Sequence, residues 1–327
     1  MDWQALHGTA FKDVPVLVTG GAGFIGSHIV QALVQLGARI SVIDNLANGK
    51  WSNLDGFGDG VAKTTGDILD ADAVRSAMAG CRYVFHEAAL GSVPKSVETP
   101  VPYHDANVMG TLSVLQAARD VGVERVVYAG SSSAYGNPPK DGPKVEDQPI
   151  LPLSPYAATK LAGEAYCRAW SASYGVDTAV LRYFNIFGPR QDPHSAYAAV
   201  IAAFAKALLN NEAARIYGDG EQSRDFTFVH NAVHANLLAA RCAERIEGEV
   251  FNVATGHRVS VNQLYQAMAD SVGKGDLKAE HLETRTGDVK HSLADISKGG
   301  RVLGYSPIVK FEDGLKATID WYADAIQ

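Results

Sequence analysis

The sequence predicts an α/β fold, a doubly wound parallel sheet followed by a smaller C-terminal α/β lobe. Three observations carry that prediction. Short, β-branched apolar runs alternate with amphipathic stretches through the first half of the chain, the rhythm of strands joined by covering helices. The runs are nearly all apolar, as strands buried on both faces require. After residue 183 the rhythm breaks at a Gly/Pro/Asn-rich stretch, Asn185 to Pro193, and shorter elements follow.

In chain order, strands are expected at Val14–Thr19, Arg39–Asp44, Val61–Thr65, Tyr83–His86, Arg125–Ala129 and Thr178–Arg182. Between them Ile25–Leu36, Ala71–Met78, Asn107–Val121 and Tyr156–Tyr174 have the apolar spacing of helices. Beyond residue 183 the pattern predicts a helix over Ala196–Leu209, a short element at Arg215–Gly218 and a helix near Ala232–Ala243. A strand at Glu249–Val253 and helices around Asn262–Ser271 and Asp313–Ala325 complete it. This divides the chain into a nucleotide-binding domain, 1–183, regained for about 225–256, and a substrate lobe of 184–224 and 257–327. No internal repeat or low-complexity tract interrupts it.

Composition narrows the function classes. The 327 residues carry 29 Lys+Arg against 36 Asp+Glu, a net charge of −7 with no basic run. Such a surface is poorly suited to neutralising phosphates, so neither nucleic acid nor membrane is expected as a partner. Cys81, Cys167 and Cys242 lie far apart and form no CxxC pair; neither a zinc site nor a disulfide framework is expected, and a reducing cytoplasm fits. Met1-Asp2-Trp3-Gln4 opens no secretory signal, and the longest apolar run, Tyr197 to Phe204 and one Ala beyond, is too short to span a bilayer.

The strongest local signal is Thr19-Gly20-Gly21-Ala22-Gly23-Phe24-Ile25-Gly26, after an apolar strand and at the start of a helix. Gly20 permits the tight turn, Gly23 lets the backbone approach a pyrophosphate, and Gly26 lets helix and strand pack closely. The helix N-terminus offers free N–H groups to that pyrophosphate. The second strand ends in Val42-Ile43-Asp44, where a carboxylate can hold a ribose 2′-OH, and no Arg follows at once to welcome a 2′-phosphate. The expected cofactor is therefore NAD rather than NADP, on a Rossmann sheet. Asp67-Ile68, after the third strand, stands where an adenine edge would lie.

Ser154-Pro155-Tyr156-Ala157-Ala158-Thr159-Lys160 begins a helix, with Ser154 suited to the N-cap and Pro155 to the first turn. Tyr156 and Lys160, four apart, share a helical face. An ammonium beside a phenol favours the tyrosinate, and such a tyrosine can take a proton from an alcohol while hydride leaves the same carbon. Ser131-Ser132-Ser133-Ala134-Tyr135-Gly136 follows the fifth strand, so its hydroxyls are expected at the carboxyl edge of the sheet, over the same crevice.

Taken together in this order, these motifs resemble the extended short-chain dehydrogenases/reductases, and among them the nucleotide-sugar 4-epimerases. Three further segments sharpen the likeness: His86-Glu87-Ala88-Ala89-Leu90-Gly91-Ser92-Val93-Pro94-Lys95-Ser96, Leu181-Arg182-Tyr183-Phe184-Asn185-Ile186-Phe187-Gly188 and Arg190-Gln191-Asp192-Pro193. They are similar to segments of the bacterial UDP-N-acetylglucosamine 4-epimerases of surface-polysaccharide pathways. That resemblance implies that Phe24, Ile25, Asp44, Asn45, Asn48, Gly49, Asp67, Ile68, Ala88, Leu90, Asn107 and Lys160 line the NAD site, with Tyr183 and Phe184 flanking the nicotinamide. It makes Tyr156 the base, Ser131 its partner and Ser133 a second hydroxyl near the sugar. It gives Gly91, Ser92, Asn185, Gln191, Arg224, Arg285 and Asp288 to the UDP-sugar, the arginines as bidentate phosphate clamps. Ser292 aligns with a position that is bulky and aromatic in epimerases restricted to UDP-glucose and UDP-galactose, so a small residue there leaves room for an N-acetyl group. Two departures stand out: Glu87, where these relatives often carry Gln, and a serine run without the Val that usually precedes Tyr-Gly.

The expected activity is interconversion of UDP-GlcNAc and UDP-GalNAc through a 4-keto sugar, in a homodimer packed through a four-helix interface of Asn107–Val121 and Tyr156–Tyr174. Ala157, Ala158, Ala162 and Gly163 would permit close packing there. Epimerases of UDP-N-acetylhexosaminuronate or UDP-glucose share nearly all these motifs, and Lys95 or Ser96 could face either C6 group. Elimination chemistry, as in 4,6-dehydratases, needs a further acid/base, and Ser131-Ser132-Ser133 brings no carboxylate. A catalytically inactive NAD-binding protein would typically lose the Tyr156/Lys160 pair. Without the family likeness, Arg224-Asp225 reads as a surface ion pair and Ser292 as the start of a helix.

Overall fold

The computed structural model describes residues 1–58, 60–137, 142–192, 200–283 and 291–325. Its strands are β1 (Pro15–Thr19), β2 (Arg39–Asp44), β3 (Val61–Thr65), β4 (Tyr83–His86), β5 (Arg125–Ser131) and β6 (Asp177–Tyr183). Then come β7 (Ile186–Phe187), β8 (Arg215–Tyr217), β9 (Ser223–Arg224), β10 (Thr227–Phe228), β11 (Glu249–Val253), β12 (Val259–Ser260) and β13 (Glu280–Leu282). The helices are α1 (Trp3–His7), α2 (Phe24–Gln35), α3 (Ala71–Met78), α4 (Val93–Glu98), α5 (Pro100–His104), α6 (Gly110–Val121) and α7 (Pro155–Tyr174). After them run α8 (Val200–Leu209), α9 (Val229–Arg241), α10 (Val261–Ser271), α11 (Ser297–Leu303) and α12 (Phe311–Ala325).

Seven strands form one parallel sheet in the order β11-β6-β5-β4-β1-β2-β3. The order reverses between β1 and β4, so the crevice for a ligand opens over their carboxyl ends. Period-two alternation sends Val16, Val18, Phe85 and Val127 to one face, under Ile29 and Leu33 of α2 and Ala235 and Leu237 of α9. Leu17, Val84 and Val126 face the other way, under Val74 and Met78 of α3 and Val114 and Leu115 of α6. A separate core of Phe187, Phe204, Phe226, Phe228, Leu264, Met268, Ile319 and Tyr322 supports the smaller elements.

The ends of elements are fixed by side chains. Asp70 caps α3 and Ser154 caps α7, while Ser260 and Gln263 form a reciprocal capping box on α10. Arg125 is buried, bonds Asp177 (Nε–Oδ2 2.7 Å) and donates to the carbonyls of Ala239, Ala240, Cys242 and Glu244. One guanidinium thus closes the C-terminal end of α9 and ties it to β5 and β6.

Four short helices, α1, α4, α5 and α11, have no counterpart in the expectation; the expected elements differ mainly at their ends. β5 continues to Ser131 and β6 to Tyr183, because apolar pattern stops before the functional carboxyl ends do. The helix expected from Asn107 is entered through a π-turn, Asp105–Met109, continuous with α5. The three cysteines are free. Among the described residues, no helix is long and apolar enough to cross a membrane.

Candidate active site

The glycine turn sits on the β4 exit. Gly20 has φ +68°, and a Cβ there would lie 2.7 Å from the Ala88 amide nitrogen. A Cβ on Gly26 would lie 2.3 Å from the Gly20 carbonyl oxygen, so helix α2 can start this close to the turn only as glycine. At Gly23, the N-cap of α2, the one atom a Cβ would approach is Gly20 O at 3.1 Å, which leaves its outer face open to a pyrophosphate. Phe24 and Ile25 form the first turn of α2, half-buried. Gly21, which the motif reading left without a role, has no room for a Cβ against Val42.

Asp44 ends β2 and is 7% exposed. Its Oδ2 accepts from the Ala22 amide (3.0 Å) and its Oδ1 from the Leu46 amide (2.8 Å), leaving each oxygen a second lone pair for ribose hydroxyls. Gly49 packs at the same place, where a Cβ would meet Ala22 and the Asp44 carboxylate. Asn48 is exposed beside it. Asn45 donates to Asp67 Oδ2 (2.8 Å), which joins the ends of β2 and β3 next to the buried Ile68. These residues fit a dinucleotide whose adenosine ribose carries free hydroxyls.

Two expected cofactor residues take other roles. Asn107 is 1% exposed and spends its amide on Leu90 N (2.8 Å), Leu90 O (3.1 Å) and Thr159 Oγ1 (3.0 Å). It holds the Ala88–Leu90 loop in place instead of reaching outward. Phe184 has no exposed side-chain surface and packs against Tyr135, so its ring does not face the crevice.

The hydroxyl cluster lies over β5. Ser131 Oγ and Ser133 Oγ are 2.8 Å apart, and Tyr156 stands on the first turn of α7, near enough for the Ser131 hydroxyl to act on its phenol. Burial raises the Tyr156 pKa, with the Ser131 hydroxyl working the other way. The expected lowering by Lys160 is not seen here: the ammonium donates to Ala129 O (2.9 Å), lies 5.1 Å from the Tyr128 ring centroid, and burial pushes its own pKa down to about 8. Neighbouring Glu87 and Glu164 resist that fall. Ser96 is fully buried, accepting from the Tyr156 amide (3.1 Å) and donating to Val93 O. It ties α4 to α7 and cannot face a sugar. Lys95 is exposed, and Gly91 leads to Ser92, which caps α4.

The expected substrate residues Asn185, Arg224 and Ser292 lie around a segment that one buried carboxylate, Asp225, holds together. Asp225 is fully buried and accepts from Thr255 N (2.9 Å), Thr255 Oγ1 (2.7 Å), Gly256 N (3.0 Å) and Ala294 N (3.3 Å). The surface-ion-pair reading of Arg224-Asp225 is therefore wrong, because burial and four donors occupy Asp225. Asn185, at φ +40°, donates to the Asp225 carbonyl (3.0 Å), and half-buried Arg224 pairs with Val259 across β9 and β12. Gln191 donates to Ile186 O (3.3 Å), while its buried Oε1 has no partner among the described residues. Ser292 is 6% exposed and its amide donates to Ser223 O (3.0 Å). It starts no helix, since α11 begins at Ser297. Arg285 and Asp288 lie outside the described residues.

A third polar group was recognised in the sequence only as a departure. Glu87 Oε1 accepts from Tyr183 Oη (2.7 Å), and Tyr183 Oη accepts from Asn236 Nδ2 (2.6 Å). Its members are 96 and 53 residues apart, beyond the reach of any local pattern.

Residues 16–254 match the NAD dependent epimerase/dehydratase family. A UDP-glucose 4-epimerase of Mycolicibacterium smegmatis is 39% identical over 95% of this chain and 99% of its own. The structure of a UDP-N-acetylglucosamine 4-epimerase from Methanobrevibacter ruminantium, in complex with UDP-N-acetylmuramic acid, superposes with TM-score 0.91 at 42% identity, covering 96% of this chain and 99% of the other. That of a UDP-glucose 4-epimerase from Thermus thermophilus, in complex with NAD, does so with TM-score 0.86 at 36% identity, covering 95% and 100%. The fold, the glycine turn and the Tyr156/Lys160 helix define an NAD-dependent enzyme of the extended short-chain dehydrogenase/reductase type. The chain belongs to the NAD dependent epimerase/dehydratase family.

Proposed function

We propose that this enzyme inverts C4 of a UDP-sugar, interconverting UDP-GlcNAc and UDP-GalNAc for polysaccharide precursor supply. The observation that carries the chemistry is the Tyr156–Ser131–Ser133 cluster over β5, where Ser131–Ser133 brings no carboxylate for elimination. Tyr156 takes the O4 proton as the tyrosinate, a form that burial opposes and that the cationic ring of a bound nicotinamide would favour, with Ser131 steering the proton; Lys160 is anchored on Ala129 O. Bound NAD would supply the acceptor for the C4 hydride, whose return to the opposite face of the 4-keto sugar completes the inversion. Gly20, Gly23, Phe24, Ile25, Gly26, Asp44 and Gly49 hold that cofactor, and Tyr183 borders its nicotinamide end.

The division of labour follows the chain: 1–183 with about 225–256 for the cofactor, 184–224 and 257–327 for UDP and sugar. Arg224, Asn185 and Gln191 line the nucleotide-sugar side in this reading; Arg285 and Asp288, which the family resemblance gives to the same ligand, lie outside the described residues. The small Ser292 and the 42%-identical N-acetylglucosamine relative support an N-acetylated substrate; the two UDP-glucose relatives support UDP-glucose as the alternative. Incubating the purified protein with each UDP-sugar and identifying the hexoses released by acid separates these. Product from UDP-glucose alone would overturn the N-acetyl assignment, and none from either would overturn epimerisation.

The protein works as a homodimer in this reading, through α6 and α7. Ala158 is exposed and Ala162 half-exposed, with exposed Val101, Met109 and Leu153 nearby in the chain. Ala157 and Gly163, in contrast, face inward, Gly163 against Tyr128. Sedimentation at the mass of one chain would reject the dimer.

A further inference from the structure

Glu87 takes no part in the steps above, yet it directly follows β4, at the point where the strand order reverses. Its amide donates to Thr19 O (3.2 Å), and the Gly20 turn rests on its carbonyl carbon, 3.0 Å from where a Gly20 Cβ would be. Its carboxyl is fixed from behind: Tyr183 donates to it, and Asn236 of α9, fully buried, donates to Tyr183 Oη and to Ala232 O (2.9 Å). The groups that face it are few. Lys160 of α7 acts on it as a cation, and Tyr183 of β6 is the phenol it holds. His86, its neighbour on β4, turns to the opposite face, between Thr19 and Thr111, and burial drives its pKa down to about 3, so it is neutral. No salt bridge to Glu87 occurs among the described residues.

We propose that Glu87 is a positioning residue whose fixed carboxylate keeps the site poised toward oxidised cofactor and sugar alcohol, so that the 4-keto sugar is short-lived. This rests on the reading that a nicotinamide lies over the carboxyl ends of β4 and β6. The balance is closed within the site. Hydride leaves C4, the O4 proton goes to Tyr156, C4=O forms and the ring loses its positive charge; the return runs these steps backward. A nearby negative charge stabilises the cationic, oxidised ring over the neutral, reduced one, and it offsets the opposing charge of Lys160. Burial lifts the Glu87 pKa to about 7, while the Tyr183 hydroxyl and Lys160 pull it back. The carboxylate is therefore present above neutrality and lost below it.

The test is the fraction of bound nicotinamide that is reduced, read by its near-ultraviolet absorbance and fluorescence, in holoprotein saturated with UDP-GlcNAc. Total nicotinamide is counted after unfolding. Glu87→Gln should raise the reduced fraction about 3- to 10-fold at mildly alkaline pH, the size expected for one partly screened charge. The gap should close as pH falls through about 7, where wild-type Glu87 takes up its proton. Tyr183→Phe keeps the carboxylate but removes a bond that favours it, so the closing point should move to higher pH. Equal reduced fractions at every pH, with cofactor stoichiometry intact, overturn the proposal. If Glu87→Gln does not retain cofactor, the wild-type profile decides: a reduced fraction that stays flat through neutrality overturns it. Absence of any nicotinamide from the unfolded wild-type protein would instead overturn the reading of the crevice itself.

Discussion

The two walls of the crevice are built differently. The cofactor wall is local: eight consecutive residues, Thr19 to Gly26, make the turn, and close backbone-to-backbone approaches, as between Gly20 and Ala88, set its shape. The opposite wall, proposed to take the sugar nucleotide, is assembled from distant segments, with Asn185, Thr255, Gly256 and Ala294 meeting on the side chain and carbonyl of Asp225. A backbone-built wall is rigid and tolerates no added atom. A wall gathered by one buried carboxylate is rigid only while that carboxylate keeps its donors, and its loops remain free to vary with substrate.

The largest effect should come from neither wall but from the group between them. Tyr156→Phe removes the only proposed proton carrier and should cut turnover by at least ~10²-fold while NAD stays bound. A variant with near wild-type rate would reassign the base. Next, Gly26→Ala places a methyl 2.3 Å from Gly20 O and forces the turn to shift. Overpacking of this kind costs about 3 kcal/mol. The loss should appear as weaker retention of NAD through gel filtration, with UDP binding by calorimetry little changed. If UDP binding fell equally, the two walls would not be separable.

The same contrast explains what the sequence disclosed. The inner strands could be read because they are apolar on both faces, and β2, β4 and β11 match their expected limits; so does β3, although at the sheet edge Ala62, Lys63 and Thr65 are exposed. The glycine turn could be read because its constraint is local. Asp225 could not: nothing within Ser223 to Thr227 signals that donors from residues 255, 256 and 294 will surround it. Nor could Asn107, whose polar side chain looks available until Leu90 and Thr159 are seen to occupy it. The Phe184 ring was misplaced for the opposite reason. Its position beside Tyr183 suggests the crevice, but successive side chains leave a strand end on opposite sides, and Tyr135 takes the ring.

The third prediction breaks the assembled wall. Asp225→Asn keeps the shape but turns an acceptor into a mixed group facing four donors. With burial this deep, roughly 2 kcal/mol of stability should go. Because Arg224, Asn185 and the Ser292 segment are tied to the same node, the KM for UDP-sugar should rise more than kcat falls. A lower Tm with unchanged KM would show that Asp225 stabilises the fold without shaping the site.

The smallest effect should be the most selective. Ser292 is held by its amide to Ser223 O, next to Arg224, and in the proposed reading its small side chain stands where a bulky aromatic would narrow the sugar site. Its burial shows that the surroundings are packed, so a larger group must take space from something. If that space belongs to the C2 N-acetyl group, Ser292→Tyr excludes the acetylated sugar and leaves the smaller one its room. Filling a packed site costs ~1–3 kcal/mol, which corresponds to about tenfold or more in kcat/KM for UDP-GlcNAc. Activity on UDP-glucose should hold or rise, so the ratio of the two kcat/KM values is the quantity to measure, in both proteins. Equal losses on the two sugars would mean that the tyrosine merely disturbs the Ser223–Ser292 pairing, and would return the substrate assignment to UDP-hexoses in general.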